Sequence, residues 1–251
     1  MKISIITVAQ NAGYTIADTL NSVASQTWRD IEHIIIDGAS GDNTLEVVSA
    51  YPHVAKVLSE PDQGLYFAMN KGIALASGEI VGILNADDLY ASNDVLEKVA
   101  NIFEKTQCDT AYGNLVYVSR DNLFDIRRYW RAGKFTLKSF YQGWSPPHPT
   151  FFVRRSAYLQ YGCFDTRFKM AADYELMLRF LLKNKLSAAY LNELMVKMRM
   201  GGLSNRSFRL RLLANREDRM AWAANDLKPH LFTLILKPLT KIIQFKFLWQ
   251  K

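Results

Sequence analysis

Short apolar runs alternate with amphipathic segments through the first hundred residues. Runs of β-branched and other apolar residues predict buried strands, and apolar positions three or four residues apart predict helices. Strands are predicted at residues 3–8, 31–36, 54–58 and 80–84, and helices at 14–25, 44–50 and 65–76. This order predicts an α/β fold, with a doubly wound, mostly parallel sheet that carries helices on both faces.

The pattern changes after residue 101, where longer and more polar segments follow. Strands are predicted at 109–119, 124–130 and 188–198, and helices at 157–161, 174–184 and 206–225. The chain therefore divides into residues 1–100, 101–205 and 206–251. The first two segments are expected to form halves of one domain, and the third a helical tail.

Two adjacent carboxylates, Asp87 and Asp88, follow the predicted strand at 80–84. Open α/β sheets bind ligands at the carboxyl ends of their strands, so this pair lies where a ligand is expected. Neighbouring carboxylates repel each other, and a divalent cation such as Mg²⁺ or Mn²⁺ would compensate them with further oxygen ligands from a phosphate. The alternative is that these residues only begin a helix, because Asp favours helix N-termini.

Other polar residues are predicted at the same edge of the sheet. Asn11 lies in the turn after the first strand, and Asp37 ends the second strand, where it could accept hydrogen bonds from a nucleobase or ribose. A simple turn role for Asp37 is the alternative. Asp62 precedes the third predicted helix, in which Asn70 and Lys71 could face the same site. Lys71 equally fits a solvent-exposed surface.

Three residues of the second segment are further candidates. Asp173 lies at the start of a predicted helix, where it could be either a general base or the N-cap. His148 stands between prolines and is held rigidly, while Trp144 and nearby aromatic residues could form a platform for a sugar. A lone histidine is more often structural, and this alternative stays open.

The composition is that of a globular protein, with 49% hydrophobic and 22% charged residues. Cys108 and Cys163 show no metal-ligand spacing and do not suggest a disulfide framework. The chain begins with a strand pattern where a signal peptide would need a longer apolar run. We therefore expect a reduced, cytoplasmic location.

The net charge of +7 is concentrated in the C-terminal segment. Residues 205–251 contain ten Lys or Arg and three Asp or Glu, so the rest of the chain is about neutral. Residues 231–249 are apolar but interrupted by lysines and a proline, which argues against a membrane span. The pattern predicts an interfacial helix on an anionic membrane, and packing on the protein's own core is the alternative.

Together these segments resemble the family 2 glycosyltransferases, the inverting enzymes of the GT-A fold that use nucleotide-diphosphate sugars. The resemblance covers residues 1–205. It rests on eight short runs in this order: ISIITV with the following Asn11, IIIDGASGDNT, SEPDQGLY, AMNKG, SGE, NADD, HPTFF and ADYEL. Each run is weak alone, but the ordered set is specific for the family. It indicates little about which sugar is transferred.

The resemblance implies roles for individual residues. Asp37 would hold the base of the donor nucleotide, and Asp87 would contact its ribose or diphosphate. Asp88 would ligate the metal, and Asp173 would be the catalytic base. The chain departs from the family pattern at Asn85, where many relatives have Asp. Because Asp88 remains, this departure is expected to cost little.

The implied reaction is transfer of a sugar from a nucleotide-diphosphate donor, expected to be UDP-linked, to a hydroxyl group of a saccharide acceptor. A lipid-linked acceptor fits the basic tail, as in the synthesis of O-antigen and other cell-surface polysaccharides. The protein is then expected at the inner face of the cytoplasmic membrane, bound peripherally through the tail. No nucleic-acid partner is expected.

Two other classes of protein remain as alternatives. A sugar-nucleotide nucleotidyltransferase would need a Gly-rich loop with Lys or Arg after the first strand, and residues 10–13 do not provide one. A nucleic-acid-binding protein would interleave basic and aromatic residues over one surface, whereas here the basic excess lies in the C-terminal segment.

Overall fold

The computed structural model describes residues 1–201 and 208–237. Its first part follows the predicted alternation of strands and helices. The elements are β1 (Ile3–Ala9), α1 (Ile16–Ala24), β2 (Ile31–Asp37), α2 (Thr44–Ser49), β3 (Val54–Ser59), α3 (Leu65–Leu75) and β4 (Ile80–Ile83). β3, β2, β1 and β4 are parallel neighbours in that order, so their carboxyl ends lie at one edge of the sheet.

The second part adds strands that run in both directions. Its elements are β5 (Leu89–Tyr90), α4 (Val95–Thr106), β6 (Thr110–Val118), β7 (Ile126–Trp130), α5 (Leu137–Tyr141), β8 (Phe152–Arg154), α6 (Arg155–Tyr161), α7 (Ala172–Met177), β9 (Ala188–Arg199) and α8 (Phe208–Ala224). A 3₁₀ turn lies at His148–Thr150, and a π-helical segment, Leu178–Lys183, continues α7.

The α/β architecture is confirmed, and the sheet is mixed. Within the described residues its strands follow the order β3-β2-β1-β4-β8-β6-β9-β5, with β7 paired to β6 beside this path. β8 runs antiparallel to both β4 and β6, an arrangement that the sequence did not predict. β8 has three residues and β5 has two, and segments this short show no periodic pattern.

The core of the molecule is shared by all three segments of the sequence. α3 packs closely on β1, because Gly72 has no Cβ to collide with Ile6. One large apolar cluster includes Ile6, Tyr112 and Trp222, each with no exposed surface. The segment boundaries near residues 100 and 205 stay predictions, but the segments contribute to a common core.

The described part of the C-terminal segment packs on the rest of the protein. The Trp222 indole nitrogen donates to the Tyr174 hydroxyl at 3.0 Å, and Thr233 Oγ1 donates to the Tyr141 carbonyl at 2.7 Å. Lys237 pairs with Asp218 at 2.6 Å. Packing on the core, one of the two alternatives for the tail, therefore holds as far as residue 237. Residues 238–251 lie outside the described residues.

No helix in the described ranges, 1–201 and 208–237, has the length and apolar character needed to cross a bilayer.

Candidate active site

Two loops at the carboxyl edge of the sheet are tied together by hydrogen bonds. Asn11 Oδ1 accepts from the Gly41 amide at 2.9 Å, and the Asn11 amide donates to Ser40 Oγ at 2.8 Å. The Gly13 amide donates to Asp42 Oδ2 at 3.0 Å. Asn11 adopts a left-handed conformation (φ 50°), which these contacts hold in place. Asn11, the first of the predicted donor-binding residues, is therefore exposed at the edge of the sheet and held in place by hydrogen bonds between the two loops.

Asp37, at the end of β2, is fully buried below these two loops. Its Oδ2 accepts from the Ser40 amide at 3.0 Å and from Ser59 Oγ at 2.7 Å, while its Oδ1 accepts from Ser40 Oγ at 2.5 Å. The carboxylate thus organises the loop after β2 and joins it to the end of β3. Its contact with a nucleobase stays a prediction.

The predicted residues around α3 make contacts within the protein. Lys71 pairs with Asp62 at 2.6 Å and with Glu60 at 2.7 Å, and these partners raise the pKa of Lys71. Asn70 exchanges two hydrogen bonds with the backbone of Phe164, at 2.8 and 2.9 Å. Asn70 therefore fastens α3 to the second half of the domain. Donor binding by Asp62, Asn70 and Lys71 stays a prediction.

Asp88 is fully buried after β4. Its carboxylate accepts from the Asn85 side-chain amide and from the backbone amide of Arg199, both at 3.3 Å. Burial, and then the charge of Asp87, raise the pKa of Asp88 well above its usual range. Burial likewise raises the pKa of Asp87. Among the described residues, the positive charge near the pair does not offset the burial of the two carboxylates.

Arg199 supplies part of the positive charge near this pair. Its side chain is 5% exposed, donates to the Asp87 carbonyl at 3.0 Å and to the Arg120 carbonyl at 3.2 Å, and pairs with Asp18. The charge of Arg199 lowers the pKa of both Asp87 and Asp88, but burial outweighs it. Sequence analysis did not single out Arg199, which is 111 residues from Asp88 in the chain.

The oxygen atoms around Asp88 fit a hard divalent cation. Asn85 Oδ1 is buried and accepts no hydrogen bond from the described residues, and it lies beside two carboxylates of raised pKa. Within residues 1–201 and 208–237, no group of three or more His, Cys, Asp or Glu side chains is arranged to hold a metal. Further ligands would therefore have to come from a bound phosphate or water, which is typical of Mg²⁺.

Asp173 is partly buried in the first turn of α7. The N-cap of this helix is Ala171, so the alternative that Asp173 is the N-cap is wrong. The Tyr66 hydroxyl donates to Asp173 Oδ1 at 3.3 Å. Burial lowers the pKa of His148, and the charge of Asp173 partly offsets this, so His148 lies near the same carboxylate.

Tyr117 lies within electrostatic reach of both carboxylates, Asp88 and Asp173. Burial raises its pKa, and the charges of Asp88 and Asp173 raise it further. On the sheet, Tyr117 of β6 pairs with Met198 of β9. The next residue of β9, Arg199, donates its backbone amide to Asp88. The guanidinium of Arg128, opposite Tyr117 on β7, lies 4.8 Å from the Tyr117 ring centre. Asp88 and Asp173 thus both act on the pKa of Tyr117, and a common site for the two carboxylates stays a prediction.

The predicted acceptor residues, Trp144 and His148, belong to two separate groups of contacting aromatic rings. Trp144 Nε1 donates to the Ala132 carbonyl at 2.6 Å, and the Trp144 ring contacts Phe140 edge-on at 5.5 Å. His148 contacts Phe164 edge-on at 5.7 Å, and Phe164 stacks on Tyr66, the partner of Asp173. Acceptor binding by Trp144 and His148 stays a prediction.

Comparison with known proteins gives the family. Residues 4–162 match the family model described as glycosyl transferase family 2. The chain belongs to glycosyl transferase family 2. An uncharacterized glycosyltransferase of Mycobacterium tuberculosis (strain CDC 1551 / Oshkosh) is 36% identical over 180 residues, which cover 70% of this chain and 68% of that protein. A PGL/p-HBAD biosynthesis glycosyltransferase of Mycobacterium bovis (strain BCG / Pasteur 1173P2) is 30% identical over 208 residues, covering 80% and 78%.

Solved structures share the fold of this family 2 glycosyltransferase. S. aureus TarS 1-349 in complex with UDP-GlcNAc has a TM-score of 0.70 at 20% identity and covers 99% of this chain and 72% of its own. The mannosyltransferase PcManGT from Pyrobaculum calidifontis in complex with GDP-Man and Mn²⁺ has a TM-score of 0.66 at 18% identity, covering 94% and 68%. The predicted GT-A-type fold and the predicted glycosyltransferase class are confirmed. Family membership disfavours the nucleotidyltransferase and nucleic-acid-binding alternatives.

Proposed function

We propose that this chain is an inverting, metal-dependent glycosyltransferase that transfers a sugar from a nucleoside-diphosphate donor to a hydroxyl group of a saccharide acceptor. The observation that carries the proposal is a pair of carboxylates held in place by hydrogen bonds, Asp88 by the Arg199 amide and Asp173 by the Tyr66 hydroxyl. One carboxylate is buried at the sheet edge where a donor would bind, and the other is partly exposed at a helix start.

The donor side of the site is the edge formed by the loops after β1, β2 and β4. A cation held by Asp88, with Asp87 and the Asn85 oxygen beside it, would supply positive charge next to the diphosphate of the donor. Asn11 and Asp37 would receive the nucleoside. We propose that the donor is a UDP-linked sugar. The structure of TarS in complex with UDP-GlcNAc, which has a similar fold, supports this choice of donor.

The acceptor side of the site is formed by Asp173 and its neighbours. The Asp173 carboxylate takes the proton from the acceptor hydroxyl, whose oxygen attacks the anomeric carbon as the bond to the diphosphate breaks. Tyr66 orients the carboxylate through its hydrogen bond, so one oxygen is held while the other can receive the proton. Attack on the face opposite the leaving group inverts the configuration, and no covalent enzyme intermediate forms.

We further propose a lipid-linked acceptor and peripheral binding to an anionic membrane at the cytoplasmic face, in cell-surface polysaccharide synthesis of the O-antigen type. Leu231, Phe232 and Ile235 are 84%, 61% and 57% exposed, although the segment that carries them packs on the protein. The Tyr141 ring lies 4.6 Å from the ring of His230 in this segment. Leu137, one helical turn before Tyr141, is 48% exposed.

These apolar residues have basic neighbours. Lys134 and Lys138 flank Leu137 and are exposed, and Lys228 is exposed near the other apolar residues. An apolar surface with a basic surround fits an anionic bilayer better than a neutral protein partner. The net charge of +7 carried by residues 205–251 points the same way.

An assay of nucleotide release tests the proposed reaction. The full chain is incubated with UDP- and GDP-linked sugars, a saccharide acceptor, and Mg²⁺, Mn²⁺ or a chelator, and the anomeric configuration of the product is read by NMR. Turnover is expected only with a divalent cation, from the wild type and from the matched variant Asp121→Asn on the exposed surface. Full turnover by Asp173→Asn, or a product of retained configuration, would overturn the mechanism.

A further inference from the structure

Helix α7, which carries Asp173, begins without a capping side chain of its own. Its N-cap residue, Ala171, has no polar side-chain atom, and no side chain of the helix caps it. The backbone amides at a helix start need hydrogen-bond partners from elsewhere, and Ala171 itself is 3% exposed. Partners must therefore come from another part of the protein.

Glu217 of α8 binds the N-cap amide and the two backbone amides before it. Its Oε2 accepts from the amides of Met170 and Ala171 at 2.7 and 3.0 Å, and its Oε1 accepts from the Lys169 amide at 3.0 Å. The Glu217 side chain is 4% exposed. Hydrogen bonds from amides to a carboxylate are stronger than those between neutral groups, so one buried side chain fixes the three residues before α7.

Two further contacts of α8 hold the residues that follow Asp173. Trp222 Nε1 donates to the Tyr174 hydroxyl at 3.0 Å. Asn225 Nδ2 donates to Glu175 Oε1 at 3.1 Å. The backbone that carries Asp173 is therefore held by α8 from both sides, and α8 lies beyond the residues that match the family model.

Tyr66 connects Glu217 to the site. Its hydroxyl donates to Asp173, and burial, followed by the charges of Asp173 and then Glu217, raises the pKa of Tyr66. Tyr66 therefore contacts Asp173 directly and lies within electrostatic reach of Glu217.

We propose that Glu217 is a positioning residue for the transfer reaction. By fixing the backbone at Lys169, Met170 and Ala171, it holds the Asp173 carboxylate where it can meet the acceptor hydroxyl. The inference rests on the proposed role of Asp173 as general base. Displacement of a catalytic group by about 1 Å can reduce turnover about a hundredfold, so a loosened helix start would reduce kcat strongly.

The first experiment compares two neighbouring carboxylates of α8 in the full chain. Glu217→Gln keeps the size of the side chain, but its NH₂ group faces backbone amides that are themselves donors, so part of the hydrogen bonding is lost. Asp218→Asn is the control, because Asp218 is 7% exposed and pairs with Lys237, whose ammonium lies 3.3 Å from the ring centre of Tyr174 in α7. It therefore changes a contact between α8 and an α7 side chain and leaves the hydrogen bonds to the backbone before α7 in place. We expect Glu217→Gln to lower kcat by about tenfold to a hundredfold with the Kd for the donor unchanged, and Asp218→Asn to keep kcat within about threefold.

A double-mutant cycle separates positioning from a general loss of structure. If Glu217 acts through Asp173, the variant with both Glu217→Gln and Asp173→Asn has the same residual rate as Asp173→Asn alone. Effects that multiply, or an equal loss of kcat in Asp218→Asn, would overturn the inference. Full activity of Asp173→Asn alone would instead contradict the proposed base, so the two failures are distinguishable.

Melting temperatures show which variants are folded. If Glu217→Gln does not fold, Glu217→Asp is measured in its place, because it keeps the charge on a shorter side chain. A reduced kcat with unchanged donor affinity in Glu217→Asp supports the proposal, and a wild-type kcat refutes it.

Discussion

The buried histidine of β2 makes stability depend on pH in a way that can be measured. His33 has no exposed surface, and its ring nitrogens lie 3.0 Å from Thr7 Oγ1 and 3.0 Å from His53 Nε2. Burial, and then the charge of His53, lower the pKa of His33 from 6.5 to about 3. His33 therefore stays neutral in the folded protein throughout the range in which an unfolded histidine becomes charged.

This difference sets the sign and size of the effect. As pH falls through 6.5, the unfolded chain takes up a proton at His33 and the folded protein does not. The unfolded state thus binds more protons, and the free energy of unfolding decreases as the pH falls. One pKa unit corresponds to about 1.4 kcal/mol, so His33 accounts for a loss of about 2 kcal/mol between pH 7 and pH 5.

Urea unfolding of three proteins at pH 7 and pH 5 tests this figure. His33→Gln keeps a hydrogen-bonding side chain but does not titrate, and His230→Gln is the control at an exposed histidine. The raised pKa values of Asp87 and Asp88 act in the opposite direction, because those groups bind protons in the folded state as the pH falls. Their contribution is common to all three proteins, so the difference between variants reports on His33 together with its hydrogen-bonded partner His53, whose pKa burial also lowers. An unchanged pH dependence in His33→Gln would refute the reasoning.

Three further changes test the site and the tail. Asp88→Asn is expected to abolish metal-dependent donor binding in calorimetry and to raise the melting temperature without metal, because burial disfavours the Asp88 charge; retained metal dependence would contradict the assignment. Asp173→Asn should lower kcat by about 10²–10⁴-fold with little change in melting temperature, because Asp173 is not the N-cap. A chain ending at Lys237 should stay folded and use a soluble acceptor, but a smaller fraction of it should sediment with anionic vesicles. A chain ending at Asn225 loses the buried Thr233 and should have a lower melting temperature.

The first half of the fold was predictable because its strands are rich in β-branched and other apolar residues and alternate with amphipathic segments. β1 is buried at all seven positions, and its short length and β-branched residues favour a strand over a buried helix. The strands that sequence analysis missed, β5 and β8, have two and three residues and depend on neighbours that are distant in the chain. Their positions are set by tertiary pairing, which local periodicity does not record.

The site was predictable as a set of residues but not as a set of contacts. Asp37, Asn70 and Lys71 were expected to meet a donor, and the structure gives each of them partners within the protein. The alternative N-cap role of Asp173 was wrong, because the N-cap of α7 is Ala171. The hydrogen-bond acceptor at that helix start is Glu217, which comes from another helix.

Both carboxylate centres of the site are held by elements from the C-terminal part of the chain. The backbone amide of Arg199, at the end of β9, binds the Asp88 carboxylate, and the Arg199 side chain joins the loop after β4 to α1. Glu217 of α8 fixes the helix start before Asp173. Asp88 lies within the residues that match the family model, whereas Asp173 and the residues that hold both carboxylates, Arg199 and Glu217, lie beyond residue 162, where the match ends. Substitutions at Arg199 or Glu217 are therefore expected to lower turnover, although both residues are distant in sequence from the carboxylates that they hold.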